Sequence, residues 1–155
     1  MPRVVIHGGM SYRSPRPIFA ALVFAAAGWL GGAIITATGG LAGLPSALVG
    51  IEAIRAGLLA AGMGGLLSVP MRRVRTMPVS IGIWILLAAA TVVLVTWLYF
   101  TIWPPQWEAP AYKIAGLCLK GYWKHLLPLA LAAGGLNGWL GSRLLGPVPG
   151  DEAMG

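Results

Sequence analysis

The segment 47–69 is an apolar run that contains one acidic and one basic residue, Glu52 and Arg55. As an α-helix, this run would rise about 34 Å and would cross a hydrocarbon core of about 30 Å. Small residues recur at every fourth position of the run in two series, Ala53, Gly57, Ala61 and Gly65, and Ala60, Gly64 and Ser68. Such a face lets another helix backbone approach closely. The segment therefore predicts a membrane span that packs tightly on the first or the fourth span of the chain.

The overall composition places this span in a membrane protein. The chain has 155 residues, of which 57% are hydrophobic and 10% are charged, whereas soluble domains are roughly 25% charged. The net charge of +7 comes from basic residues beside apolar runs, where they orient the chain and meet lipid headgroups. Lipids are therefore expected partners and nucleic acid is not. The single Cys118 excludes an internal disulfide and a multi-cysteine metal site.

Three further apolar runs, 18–38, 79–102 and 126–145, complete a prediction of four transmembrane helices joined by short loops. The fold class is thus an all-α integral membrane protein with a single domain. The first and fourth runs carry their own small residues at every fourth position, including Gly28, Gly32, Gly134 and Gly138. The first run lacks a clear cleavage site and is expected to be retained as a helix. Residues 1–17 are predicted to form a basic arm and residues 146–155 a short tail.

The connector 106–125 is predicted to be an amphipathic helix that lies in the membrane interface. Lys113, Lys120 and Lys124 share one side of this helix, and apolar residues occupy the other side. Trp103 and Trp107 come directly before the connector or at its start, and tryptophan is enriched at membrane–water interfaces.

The distribution of arginines predicts the orientation of the chain. Arginines occur in the amino-terminal arm, in the loop after the second span and at the end of the fourth span, whereas the three lysines fall in the connector. Because basic residues favour the cytoplasmic side, both termini are predicted to be cytoplasmic. A bacterial inner membrane is the expected location.

Glu52 and Arg55 are the residues that most favour a functional site. They are three positions apart, so they share one side of the helix, away from the small residues. An unpaired charge inside a membrane costs at least about 2.5 kcal/mol. One interpretation is a site for an ion, a proton or a solute. The other is an internal ion pair, or a contact with a neighbouring helix, that fixes the assembly.

Two further polar residues could contact a ligand. His125 lies at a predicted interface, where a histidine could bind a haem or chlorin cofactor or sense pH. Asn137 lies in the fourth span and is expected to form an interhelical hydrogen bond. No metal site is predicted, and the sequence requires no cofactor.

Two functions remain open on the sequence alone, and neither is enzymatic because no acid–base pair or Ser/His/Asp grouping is present. The favoured hypothesis is a non-catalytic subunit of a larger membrane assembly, which holds neighbouring subunits or copies through its Gly/Ala-rich helix faces and polar ends. The alternative is a small homo-oligomeric transporter or channel that uses Glu52 and Arg55. Pore-forming and lipid-handling roles are also compatible with the composition.

Overall fold

The computed structural model describes residues 17–38, 50–71, 74, 77–106 and 108–144. These residues form helices and connections, with no strand among them, which confirms the prediction of an all-helical chain. The predicted arm before Pro17 and the predicted tail lie outside the described residues, as does Trp107. The helices are α1 (Pro17–Thr38), α2 (Ile51–Met71), α3 (Met77–Ile102) and α4 (Ala111–Leu144).

By length and composition, α1, α2 and α3 are each able to cross a membrane. Their bounds agree with the predicted spans to within a few residues, and the largest difference is at the start of α2. The same criterion does not select α4, because Pro128, Asn137 and several glycines lower the average apolarity of its second half. The structure therefore contains three helices that could span a membrane, and the fourth span stays a prediction.

The division of the last third of the chain into an interfacial helix and a separate span is wrong. A single helix, Ala111–Leu144, replaces the predicted elements 106–125 and 126–145. It starts where the carbonyl oxygen of Pro110 accepts the amide of Lys113 at 2.9 Å. Before Pro128 the helix contains only two isolated glycines, Gly116 and Gly121, which a helix tolerates. Packing of the helix against its neighbours offsets the roughly 3 kcal/mol that an interior proline costs.

The four helices alternate in direction and form a bundle of two helical hairpins. The most extensive contact is between α1 and α2, and the next is between α3 and α4. Smaller contacts join α1 to α4 and α2 to α3, so that each helix has two main neighbours. At the centre, the rings of Phe24 and Trp84 meet across the bundle, between α1 and α3.

The contact between α1 and α2, here called the α1–α2 seam, is made by small residues. A Cβ atom added at Gly28 would lie 2.6 Å from the Cβ of Ala60, and one added at Gly64 would lie 2.6 Å from the carbonyl oxygen of Ala20. These distances leave no room for a side chain, so the two backbones are in direct contact. The buried residues of α2 are Ala53, Gly57, Ala60, Gly64, Ser68 and Met71.

The α1–α2 seam thus draws on both predicted series of α2. Ala53 and Gly57 from the first series are buried, but Ala61 and Gly65 are only half-buried, and Ala60 and Gly64 take their place. A strict four-residue repeat drifts around a helix that has 3.6 residues per turn. The packed face therefore moves from one series to the other along α2.

A second close contact, here called the α3–α4 seam, joins α3 to α4 through glycines of α4. A Cβ atom at Gly134 would lie 2.7 Å from the Cα of Ile85, and one at Gly138 would lie 2.7 Å from the Cα of Ile81. Although α3 has few small residues, the glycines of its partner allow its backbone to be approached. The residues of α3 thus fit against α4 where the glycines of α4 leave space.

Candidate functional site

A cavity of about 600 Å³ lies between the four helices. Its walls are formed by parts of every helix, namely residues 24–36 of α1, 52–60 of α2, 88–100 of α3 and 118–133 of α4. These parts share one end of the bundle, which is the end predicted to face outward. Protein interiors rarely contain voids much larger than a water molecule, and ligand pockets occupy about 300 to 1,000 Å³. The volume is therefore that of a ligand site.

Most of the cavity wall is apolar, and its polar groups lie on a few side chains. The hydroxyls of Thr36, Thr91 and Thr96 donate hydrogen bonds of 2.7 to 2.9 Å to carbonyl oxygens of their own helices. Their oxygen atoms still have a lone pair that can accept a bond. Tyr99 and Tyr122 also line the wall. The cavity thus combines an apolar surface with acceptors and aromatic rings.

Among the described residues that line this cavity, Glu52 is the only one with a charged side chain. Its side chain is exposed rather than buried, so it lies at the mouth, where water can solvate it. Cys118 lies on the same wall and is half-buried.

Arg55 lies against an aromatic ring. Its guanidinium carbon lies 4.7 Å from the centroid of the Trp103 ring, and Trp103 in turn packs on Tyr99 with 5.4 Å between ring centroids. A cation over an indole gains about 0.5 to 2 kcal/mol, depending on exposure. The charge of Arg55 thus lies against an aromatic cluster at the end of α3, and the carboxylate of Glu52 lines the cavity.

The ring contact between Phe24 and Trp84 lies at the inner end of the cavity. Their centroids are 5.9 Å apart and their planes are tilted by 52°, and both side chains are buried. Phe24 lines the cavity, whereas Trp84 lies one turn beyond the last lining residue of α3, Ala88. This pair, here called the aromatic floor, separates the cavity from the other half of the bundle.

Three buried polar side chains lie beyond the aromatic floor: Ser68, Ser80 and Asn137, each 0% exposed. Ser68 donates a 2.7 Å hydrogen bond to the carbonyl oxygen of Gly65. The Ser80 hydroxyl and both polar atoms of the Asn137 amide have no hydrogen-bond partner in the part of the chain that the structure describes. Within the described residues, Asn137 therefore lacks the interhelical hydrogen bond expected of it, although its side chain is inside the bundle.

The remaining candidate residues are distributed outside the cavity. Lys113, Lys120 and Lys124 are exposed on the side of α4 opposite its cavity-lining residues, and His125 is also exposed. Within the described ranges, no group of three or more His, Cys, Asp or Glu residues is placed to hold a metal ion.

The sequence reasoning missed the cavity itself and the buried Ser80. The available signal was a pair of polar residues on one side of α3, Ser80 and Thr91, which are eleven positions apart and both buried.

Comparison with known proteins finds no family model, curated protein or solved structure that matches this chain. Functional inference therefore depends on the geometry of the bundle and on the chemistry of its residues.

Proposed function

We propose that the protein is a small, non-enzymatic membrane transport protein that takes a solute into the cavity between its helices. The cavity carries this proposal, because it is large, mostly apolar and provided with a carboxylate, Glu52, at its mouth. Ionisable residues in membrane segments most often mark a solute or ion path. All four helices of a single chain contribute residues to the cavity wall.

The proposed topology has four spans with both termini in the cytoplasm of a bacterial inner membrane. The arginine distribution supports the orientation. The packing of α4 supports its role as a span, because it lies against both α1 and α3. Asn137, a strongly polar residue in the second half of α4, is completely buried and does not face lipid. A hydropathy average over the sequence includes Asn137, although its buried side chain would not contact lipid.

A subunit role in a larger assembly is the second candidate. The glycine faces that favoured it are engaged within the chain, since Gly28 and Gly32 meet α2, and Gly134 and Gly138 meet α3. The observation that still favours it is the exposed lysine side of α4, with Lys113, Lys120 and Lys124, which could dock on an acidic partner.

A pair of matched substitutions in α4 tests the transport proposal in proteoliposomes. Ala130 is buried and lines the cavity, whereas Ala132 on the same helix is exposed. Filling the cavity with Ala130→Phe should abolish the flux of any transported solute in a panel of neutral, cationic and anionic compounds. Ala132→Phe should leave that flux unchanged.

The absence of flux for every compound with the wild-type protein would contradict the transport role. The mass of the detergent-extracted particle distinguishes the assembly role from the transport role. Different subunits that co-purify in fixed ratio would favour the assembly role, whereas a particle of this chain alone would favour transport.

A further inference from the structure

Ser80 and Asn137 carry an energetic cost that their surroundings do not offset. Both side chains are 0% exposed, and the Ser80 hydroxyl and the Asn137 amide lack hydrogen-bond partners among the described residues. Each unsatisfied polar group in a protein interior costs about 1 to 3 kcal/mol. A purely structural core would be more stable with apolar residues at these positions, so the two polar groups point to a ligand.

The register of α3 against α4 places the two side chains on the same side of the contact. Ile81 meets Gly138 in the α3–α4 seam, and Ser80 and Asn137 are the residues that immediately precede these two. When two helices are antiparallel, moving back by one residue in each helix turns both side chains toward the same side of the contact. Ser80 is also one turn from Trp84, whose ring meets Phe24 inside the bundle. Both polar side chains therefore face the interior, next to the aromatic floor.

The chemistry of the pair favours a neutral ligand over an ion. None of the buried side chains among the described residues is charged, so an ion here would have no counter-charge. Hard cations take about six or more oxygen ligands, whereas this pair has two oxygens, and the Asn137 Nδ2 donor would repel a cation. An amide and a hydroxyl together offer both donors and acceptors. A hydroxyl group, which donates and accepts, matches them.

We propose that Ser80 and Asn137 form an inner binding site for the hydroxyl group of a small neutral solute. The solute enters through the apolar cavity, passes the aromatic floor when Phe24 and Trp84 separate, and exchanges hydrogen bonds with water for bonds to these two residues. Water and small polyols share this chemistry. The proposal rests on the transport role and adds the substrate class to it.

Swelling of proteoliposomes measures this directly, with water flux driven by an impermeant osmolyte and polyol flux driven by a glycerol gradient. Wild-type protein should speed at least one of the two. Asn137→Leu and Ser80→Ala should each lower that permeability about tenfold, as expected for the loss of roughly one hydrogen bond. The controls are Leu136→Ile and Thr101→Val, which change exposed side chains on the same helices.

Thermal unfolding in detergent separates a binding role from a structural one. Asn137→Leu removes buried groups without partners, so its melting temperature should equal or exceed that of the wild type while permeability falls. A lower melting temperature for both Asn137→Leu and Ser80→Ala, or unchanged permeability in both, would overturn the proposed site.

The wild-type flux distinguishes this proposal from the transport role on which it rests. Flux of ions without flux of water or glycerol would overturn the neutral-solute site and leave the transport role standing. A wild-type protein that moves no compound at all would overturn both.

Discussion

Arg55 illustrates how a largely apolar helix can place a charge against an aromatic ring, that of Trp103. The spacing of Glu52 and Arg55 predicted that both side chains share one side of α2. It could not predict which groups of the folded chain they meet, because the partner of Arg55, Trp103, is remote in sequence and lies just after α3. The same limit applies to Ser80, whose burial depends on the packing of α3 against α4.

The contact of Arg55 with Trp103 can be measured by a double-mutant cycle. Arg55→Gln and Trp103→Leu should each lower the free energy of unfolding, and the double variant should lose less than the sum. The coupling should be about 0.5 to 2 kcal/mol, as expected for a cation over an indole. A cycle of Glu52→Gln with Arg55→Gln is the comparison. Stronger coupling in that cycle than in the first would show that the ion pair dominates.

At the scale of single helices, apolar runs predicted where α1, α2 and α3 occur, because length and hydropathy are local properties of the sequence. They did not predict that α4 continues through position 125. Hydropathy reports where a segment prefers lipid, whereas the continuity of a helix depends on the absence of turn-forming residues. The small residues indicated close packing, but their partners depended on the order of the helices around the bundle.

Neighbouring glycines on one helix provide a direct test of the two seams. A Cβ atom at Gly64 or Gly134 would lie within 2.7 Å of another helix, whereas Gly62 and Gly135 have nothing within 4 Å. Gly64→Ala and Gly134→Ala should therefore destabilise the protein by about 1 to 3 kcal/mol through overpacking. Gly62→Ala and Gly135→Ala should be neutral or should stabilise it by up to about 1 kcal/mol, because alanine favours helix. Thermal unfolding in one detergent measures all four variants. Equal effects of Gly64→Ala and Gly62→Ala, or of Gly134→Ala and Gly135→Ala, would contradict the corresponding seam.

At the scale of the whole molecule, the cavity arises from how the four helix surfaces fit together. The two seams bring helices into contact within each hairpin, and the contacts between hairpins are smaller. At one end, small residues such as Gly31, Ala56 and Ala130 line the space between the hairpins. No local pattern in the sequence predicts such a volume, because it depends on the distance between surfaces that are far apart along the chain.

The alternating direction of the helices connects the orientation of the chain to the unconfirmed fourth span. If all four helices cross the membrane, the chain crosses an even number of times, and both ends lie on the same side. Single cysteines introduced in a Cys118→Ala background test this with an impermeant thiol reagent applied to intact cells. We expect Gln106→Cys to react, and Arg73→Cys and Asp151→Cys to react only after the membrane is permeabilised. Reaction of Asp151→Cys together with Gln106→Cys would show that α4 does not cross the membrane. Reaction of Arg73→Cys but not Gln106→Cys would reverse the orientation while leaving the bundle intact.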